Sequence, residues 1–231
     1  MYFTDADYLI FTEENMQKKD NALHSERKRL QNKMLKLHER IYDEVVKLGL
    51  NCHENKRNIT TRIEPNKYNG RFNTWLLVRY GKTPEEVALY KELGYGFTKH
   101  ACIQYGIFDR KGFEVSLFLG RKEDYDRLQI SKMITKNRTA IESELEKIKG
   151  YGMEWVITGC NSFEIDQRDV SEFCDWLLTN DKFGEESFLS YTYKADDKRL
   201  SEENIAEEVL SKVKLLKDLY NAMVQRRVSV V

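Results

Sequence analysis

Met16, Leu23, Leu30 and Leu37 recur every seven residues, and Met34, Ile41 and Leu48 form a second seven-residue series. Two such series place an apolar seam along one side of a helix, so residues 12–48 read as one long helix. Ahead of Leu30 the second series is broken by Asp20 and Arg27, leaving the seam narrow at the front and full at the back. Gly49 followed by Leu50 supplies the stop.

Past the helix the period shortens. Residues 59–64 and 74–79 are rich in β-branched and aromatic side chains and read as strands, joined by turn chemistry at 65–70. Thr83-Pro84-Glu85-Glu86 announces a helix with a capping box, running to about Leu93 and ending at Gly94. The clearest hairpin pairs 100–108 with 113–119 across Asp109-Arg110-Lys111-Gly112, a type I turn closed by a left-handed glycine. This three-residue loop aligns Ala101, Ile103, Tyr105 and Ile107 with Phe113, Val115, Leu117 and Leu119 on one face. His100, Cys102, Gln104, Glu114, Ser116 and Phe118 take the other.

Helical patterning resumes over 122–149, with an interruption expected near Thr139. Residues 154–158 read as a buried strand, and a helix starts at Asp166 with Val170, Phe173, Trp176 and Leu177 inward. A strand follows at 187–194. Ser201 then caps a last helix, whose Ile205, Val209, Val213, Leu216, Leu219 and Tyr220 face the core. Hairpins mixed with helices, without regular βαβ alternation, predict an α+β fold. Its sheet is mainly antiparallel, of about five to six strands, with helices packed on it and a long N-terminal helix.

Composition narrows this picture. A chain of 231 residues buries roughly 70% of its unfolded surface, enough for a core without staples. Two prolines and no Gly/Ser-rich stretch leave no linker, so 1–50 reads as a helical arm and 51–231 as a single α+β domain. Cys52, Cys102, Cys160 and Cys174 are dispersed, as reduced thiols in a cytoplasmic protein are. The acidic start lacks the basic region of a secretory signal, and no apolar run has the length to span a bilayer, so no membrane partner is expected.

Net charge is zero, yet residues 1–112 carry 20 Lys/Arg against 15 Asp/Glu, and residues 113–231 carry 18 against 23. The imbalance concentrates in 56–82, where seven cations face one acid, Glu64. Arg57, Arg62, Lys67, Arg71 and Arg79 are interleaved with Tyr68, Phe72 and Trp75: cations attract phosphate and rings stack on bases. The first functional expectation is therefore a nucleic-acid-binding protein, in which four or five neutralised phosphates on a duplex give a salt slope near −4. The bland alternative divides these side chains between core rings and internal ion pairs. Arg29, Lys33, Lys36 and Arg40 form a second basic stripe beside the helical seam, a phosphate track or simply a solvated face.

Two other classes compete. The polar hairpin face offers His100, Asp109 and Glu114 to a metal-dependent nuclease or phosphodiesterase, with Mg²⁺ as the cofactor under that reading alone. Against it, Ser116 stands where a restriction-type nuclease strand carries its lysine. No other cofactor and no histidine metal site is evident from spacing. The third class is a non-catalytic interaction module, a homo-oligomer formed through the N-terminal helix.

Overall fold

The structure, a computed structural model, describes residues 1–12, 14–15, 21–52, 73, 75–108 and 112–226. In chain order the elements are α1 (Asp5–Leu9), α2 (Asn21–Lys47), β1 (Asn51–Cys52), β2 (Trp75–Gly81), α3 (Pro84–Lys91), β3 (Cys102–Phe108), β4 (Gly112–Arg121), α4 (Tyr125–Leu128), α5 (Ile130–Ile148), β5 (Glu154–Ile157), β6 (Phe163–Glu164), α6 (Phe173–Asn180), β7 (Glu186–Tyr193) and α7 (Ile205–Met223). The strands form one antiparallel sheet in the order β1-β2-β3-β4-β7-β5-β6. The α+β class holds. Among the described residues the sheet has seven strands rather than five to six, because β1 and β6 are two-residue strands too short to leave a pattern.

The central hairpin has the expected register, with Ile107 opposite Phe113 and Tyr105 opposite Val115. Gly112 takes a φ of 90°, and a Cβ there would lie 2.4 Å from the Tyr193 carbonyl oxygen, so only glycine fits. The face carrying Leu76, Val78, Tyr80, Ile103, Tyr105, Val115, Leu117 and Leu189 is sealed into one core with α2, α5, α6 and α7.

The seam of α2 is spent inside the chain. Leu30, Met34, Leu37 and Ile41 are buried in that core, so the helix read as an arm is a packed layer of the domain. The described part of the seam is thus covered within the chain. Arg27, which breaks the seam, is itself buried, with its guanidinium 4.8 Å from the Phe11 ring centroid and donating to the Asn73 carbonyl at 2.6 Å.

The basic stripe on α2 is also partly used. Arg29 and Lys33 both reach the buried carboxylate of Asp7 in α1, at 2.5 and 2.8 Å. Burial alone raises that carboxyl, but hydrogen bonds from Lys33, Thr4 and Arg29 hold it below its ordinary value. Arg40 donates to the Glu202 carbonyl at 3.1 Å.

Helix boundaries differ from expectation at α5 and α6. α5 breaks at Asn137 rather than Thr139, because the Asn137 amide donates to the Ala222 carbonyl near the end of α7 (2.7 Å) and the backbone leaves helical geometry there. Asp166 does not start a helix. Its carboxylate accepts the Gly150 and Gly152 amides at 2.8 and 2.9 Å, and α6 begins at Phe173 after a short 3₁₀ turn capped by Asp169. The strand expected at 59–64 lies outside the described residues. Among the described residues no helix is long and apolar enough to cross a membrane.

Candidate functional site

Alternation sends Trp75, Leu77 and Arg79 of β2 to the sheet face away from the main helices, with Gln104 and Phe108 of β3 and Glu114 and Phe118 of β4. Glu186 and Phe188 of β7 complete a cleft of about 370 Å³, rimmed by Thr98, Lys99, Arg121, Asp124 and Thr158. Trp75, Phe108, Phe118 and Phe188 are half-buried, with part of each side chain left accessible. Gly106 makes room for this floor. A Cβ there would lie 2.0 Å from the Leu76 carbonyl oxygen and 2.8 Å from Leu77 Cδ2.

The polar groups of the cleft are tied to one another. Arg79 Nε donates to Gln104 Oε1 at 3.2 Å, and Gln104 Nε2 donates to Ser116 Oγ at 3.3 Å. Lys99 lies 3.1 Å from Asp124, and the hydrogen bond it donates to that carboxylate raises the ammonium pKa. Arg121 lies 3.1 Å from Glu186. Among the described residues the lining carries three cations, Arg79, Lys99 and Arg121, and three acids, Glu114, Asp124 and Glu186. Glu114 is buried in the floor.

Two devices hold the far wall. A register shift between Phe118 and Gly120, where Gly120 has a φ of 127°, bends β4 and sets Arg121 opposite Glu186. Buried Arg127 then clamps the start of β7. It donates to the carbonyls of Gly120, Asp181, Gly184 and Glu185 and to the Asp181 carboxylate. Every bond runs to an oxygen, so the guanidinium is held in place without water.

Of the residues singled out in the sequence, Trp75, Arg79 and Glu114 meet in this cleft. Arg57, Arg62, Lys67, Tyr68, Arg71, Phe72 and Asp109 lie outside the described residues. His100 is not brought to Glu114. Its Nδ1 lies 3.2 Å from Asp126 and 3.0 Å from Lys82 Nζ, in a fully buried cluster at the end of the sheet. Lys82, one of the seven basic-segment cations, donates to Asp126 at 2.6 Å beneath the rings of Tyr90 and Tyr125. Asp126 also accepts the Ala101 amide at 2.9 Å. Burial alone raises the Asp126 carboxyl, while hydrogen bonds from His100 and the charge of Lys82 bring it below its ordinary value. Lys82 is therefore a core ion and not part of an open cationic surface.

Phe108, Phe188, Lys99, Arg121 and Glu186 were not singled out as site residues. Phe118 was placed on the correct face by hairpin parity, but nothing local indicates that β7 lies beside β4. Among the described residues no group of three or more His, Cys, Asp and Glu is gathered to hold a metal ion. No protein-family model matches the chain, and no curated protein matches it in sequence.

Proposed function

We propose that the cleft binds single-stranded nucleic acid, stacking one or two bases on its rings and meeting the neighbouring phosphates with Arg79, Lys99 and Arg121. The observation that supports this reading is the set of four half-buried aromatic side chains around one concavity on the sheet face opposite the main core. Rings presented by a sheet stack on any base, and each stacked base contributes about 1–3 kcal/mol. A volume of about 370 Å³ is at the small end of the range for ligand pockets, which suits a short stretch of strand rather than a duplex.

The charge balance reshapes the expectation drawn from composition. With three cations offset by three acids, stacking carries the affinity, and the salt dependence is shallow. One or two neutralised phosphates on a single strand give a slope of about −0.7 to −1.4 in log K against log[salt], well short of −4. The test is a fluorescence titration with short single-stranded DNA and RNA at several salt concentrations, with the double-stranded form as comparison. The expected result is single-strand binding with that shallow slope, weakened roughly 5- to 150-fold by Trp75→Ala. Absence of binding at low salt, or full affinity in Trp75→Ala, removes the proposal.

A further inference from the structure

A second concavity, of about 1080 Å³, lies between α3, α5 and the end of α7, and shares no lining residue with the cleft. Its apolar lining comes from Leu48, Leu89, Met133 and Val224, and no aromatic ring lines it among the described residues. Leu89 is half exposed, at 50%. Lys132 and Lys136 of α5 line the same groove, one helical turn apart on one side of the helix. Both are exposed, and neither has an ion-pair partner among the described residues. Of the other charges in the groove, Arg226 is bound to Glu86 at 2.7 Å, Lys217 lies 2.9 Å from Asp218, and Glu85 is an exposed acid, so the described lining carries four cations against two acids.

We infer that this groove docks an acidic amphipathic helix of a partner protein. Three helical walls and an apolar lining accept apolar side chains spaced i, i+3 and i+4, while carboxylates on the flank of the incoming helix meet Lys132 and Lys136. The absence of aromatic lining argues against a nucleic-acid strand here, since no base could stack. The volume lies above the usual range for small-molecule pockets and fits a polypeptide. α3, of 8 residues and roughly 12 Å long, matches about two turns of a docked helix. Asn137, bonded to the Ala222 carbonyl, ties the α5 and α7 walls together, so the groove is already formed.

The inference is independent of the cleft and is tested with a labelled designed peptide of about 15 residues, carrying leucines at i, i+3 and i+4 and glutamates on the flanks. A twin peptide has lysine in place of glutamate. Anisotropy titrations of the full chain are expected to show the glutamate peptide binding at least about tenfold tighter than its twin. Charge reversal at both Lys132→Glu and Lys136→Glu inverts that order. Leu89→Arg is the decisive variant. It adds positive charge yet should weaken the glutamate peptide about tenfold, because the docked leucines lose their apolar seat. Strengthened or unchanged binding in Leu89→Arg means that only diffuse attraction is at work and overturns the inference. No binding of the glutamate peptide overturns it as well, and so does a loss of binding in Trp75→Ala, which relocates the contact to the cleft.

Discussion

Alternate residues of the same strands build the two faces of the sheet, and the faces are finished in opposite ways. On the helical side Val78, Tyr105, Val115 and Leu117 have no accessible surface and meet other core side chains. On the other side their neighbours Arg79, Phe118 and Phe188 are half-buried around a cleft. The sealed face carries stability through area removed from water, at about 25 cal/mol per Å². The second face is also buried at Leu77, Gln104, Glu114 and Ser116, but leaves Trp75, Arg79, Phe118 and Phe188 partly accessible. The cations divide in the same way: Lys82 is locked beneath Tyr90 and Tyr125, whereas Arg121 stays half exposed beside Glu186.

The largest expected effect tests the sealed side. Lys82→Ala leaves the buried Asp126 carboxylate without its ammonium partner, and chemical denaturation should show a loss of about 3–5 kcal/mol. The sharper form pairs Lys82→Met with Asp126→Leu. Removing both charges and keeping the volume should cost less than Lys82→Met alone, because no unpaired ion remains in the interior. A double variant less stable than the single one means that Asp126 acts mainly through the Ala101 amide and His100 rather than through Lys82.

An intermediate effect comes from His38 of α2. It is buried against the sheet, with Nδ1 2.9 Å from the Tyr80 hydroxyl, which in turn lies 3.3 Å from the Tyr105 hydroxyl. Burial lowers its pKa from 6.5 to about 4. The folded state therefore keeps this imidazole neutral, while the unfolded chain takes up a proton as pH falls below about 6.5. Its contribution is complete above that pH and is lost between about 6.5 and 4, at most about 3 kcal/mol, with no further loss below. Denaturation midpoints measured across this window should fall in the native protein and stay flatter in His38→Gln. Equal slopes in the two proteins would mean that burial does not lower the His38 pKa in the fold.

The sealed side was legible in the sequence and much of the open side was not, for physical reasons. Hairpin parity is fixed by a three-residue loop, so Tyr105 and Val115 could be assigned to the core and Gln104, Glu114 and Phe118 to the opposite face before any coordinates. Parity holds only within a strand. His100 lies before β3 begins, and its direction is set by Asp126, which no local pattern links to it. Phe188 escaped notice because the pairing of β7 with β4 is a long-range choice. The heptad of α2 showed that one side of the helix is buried but not what covers it, and a sheet satisfies the same periodicity as a second helix. Nothing in the local sequence links Asp7 to Arg29 and Lys33 until α1 folds it between them.

The smallest expected effect is at Arg121, and it bears most directly on the contrast between the faces. Its pair with Glu186 is a surface pair, with the two side chains 52% and 36% accessible. Such pairs contribute about 0.2–1 kcal/mol, so Arg121→Gln should barely move the denaturation midpoint. The same change removes one of three cations from the cleft margin, and the salt slope for single-stranded nucleic acid should shrink by about 0.7. The two readings together separate the faces: Lys82→Ala is expected to act on stability, Arg121→Gln on the ligand. If Arg121→Gln instead destabilises the fold by several kcal/mol and leaves the salt slope unchanged, the cleft rim belongs to the structural side of the molecule, and the division between a sealed face and a binding face fails at the point where it is easiest to measure.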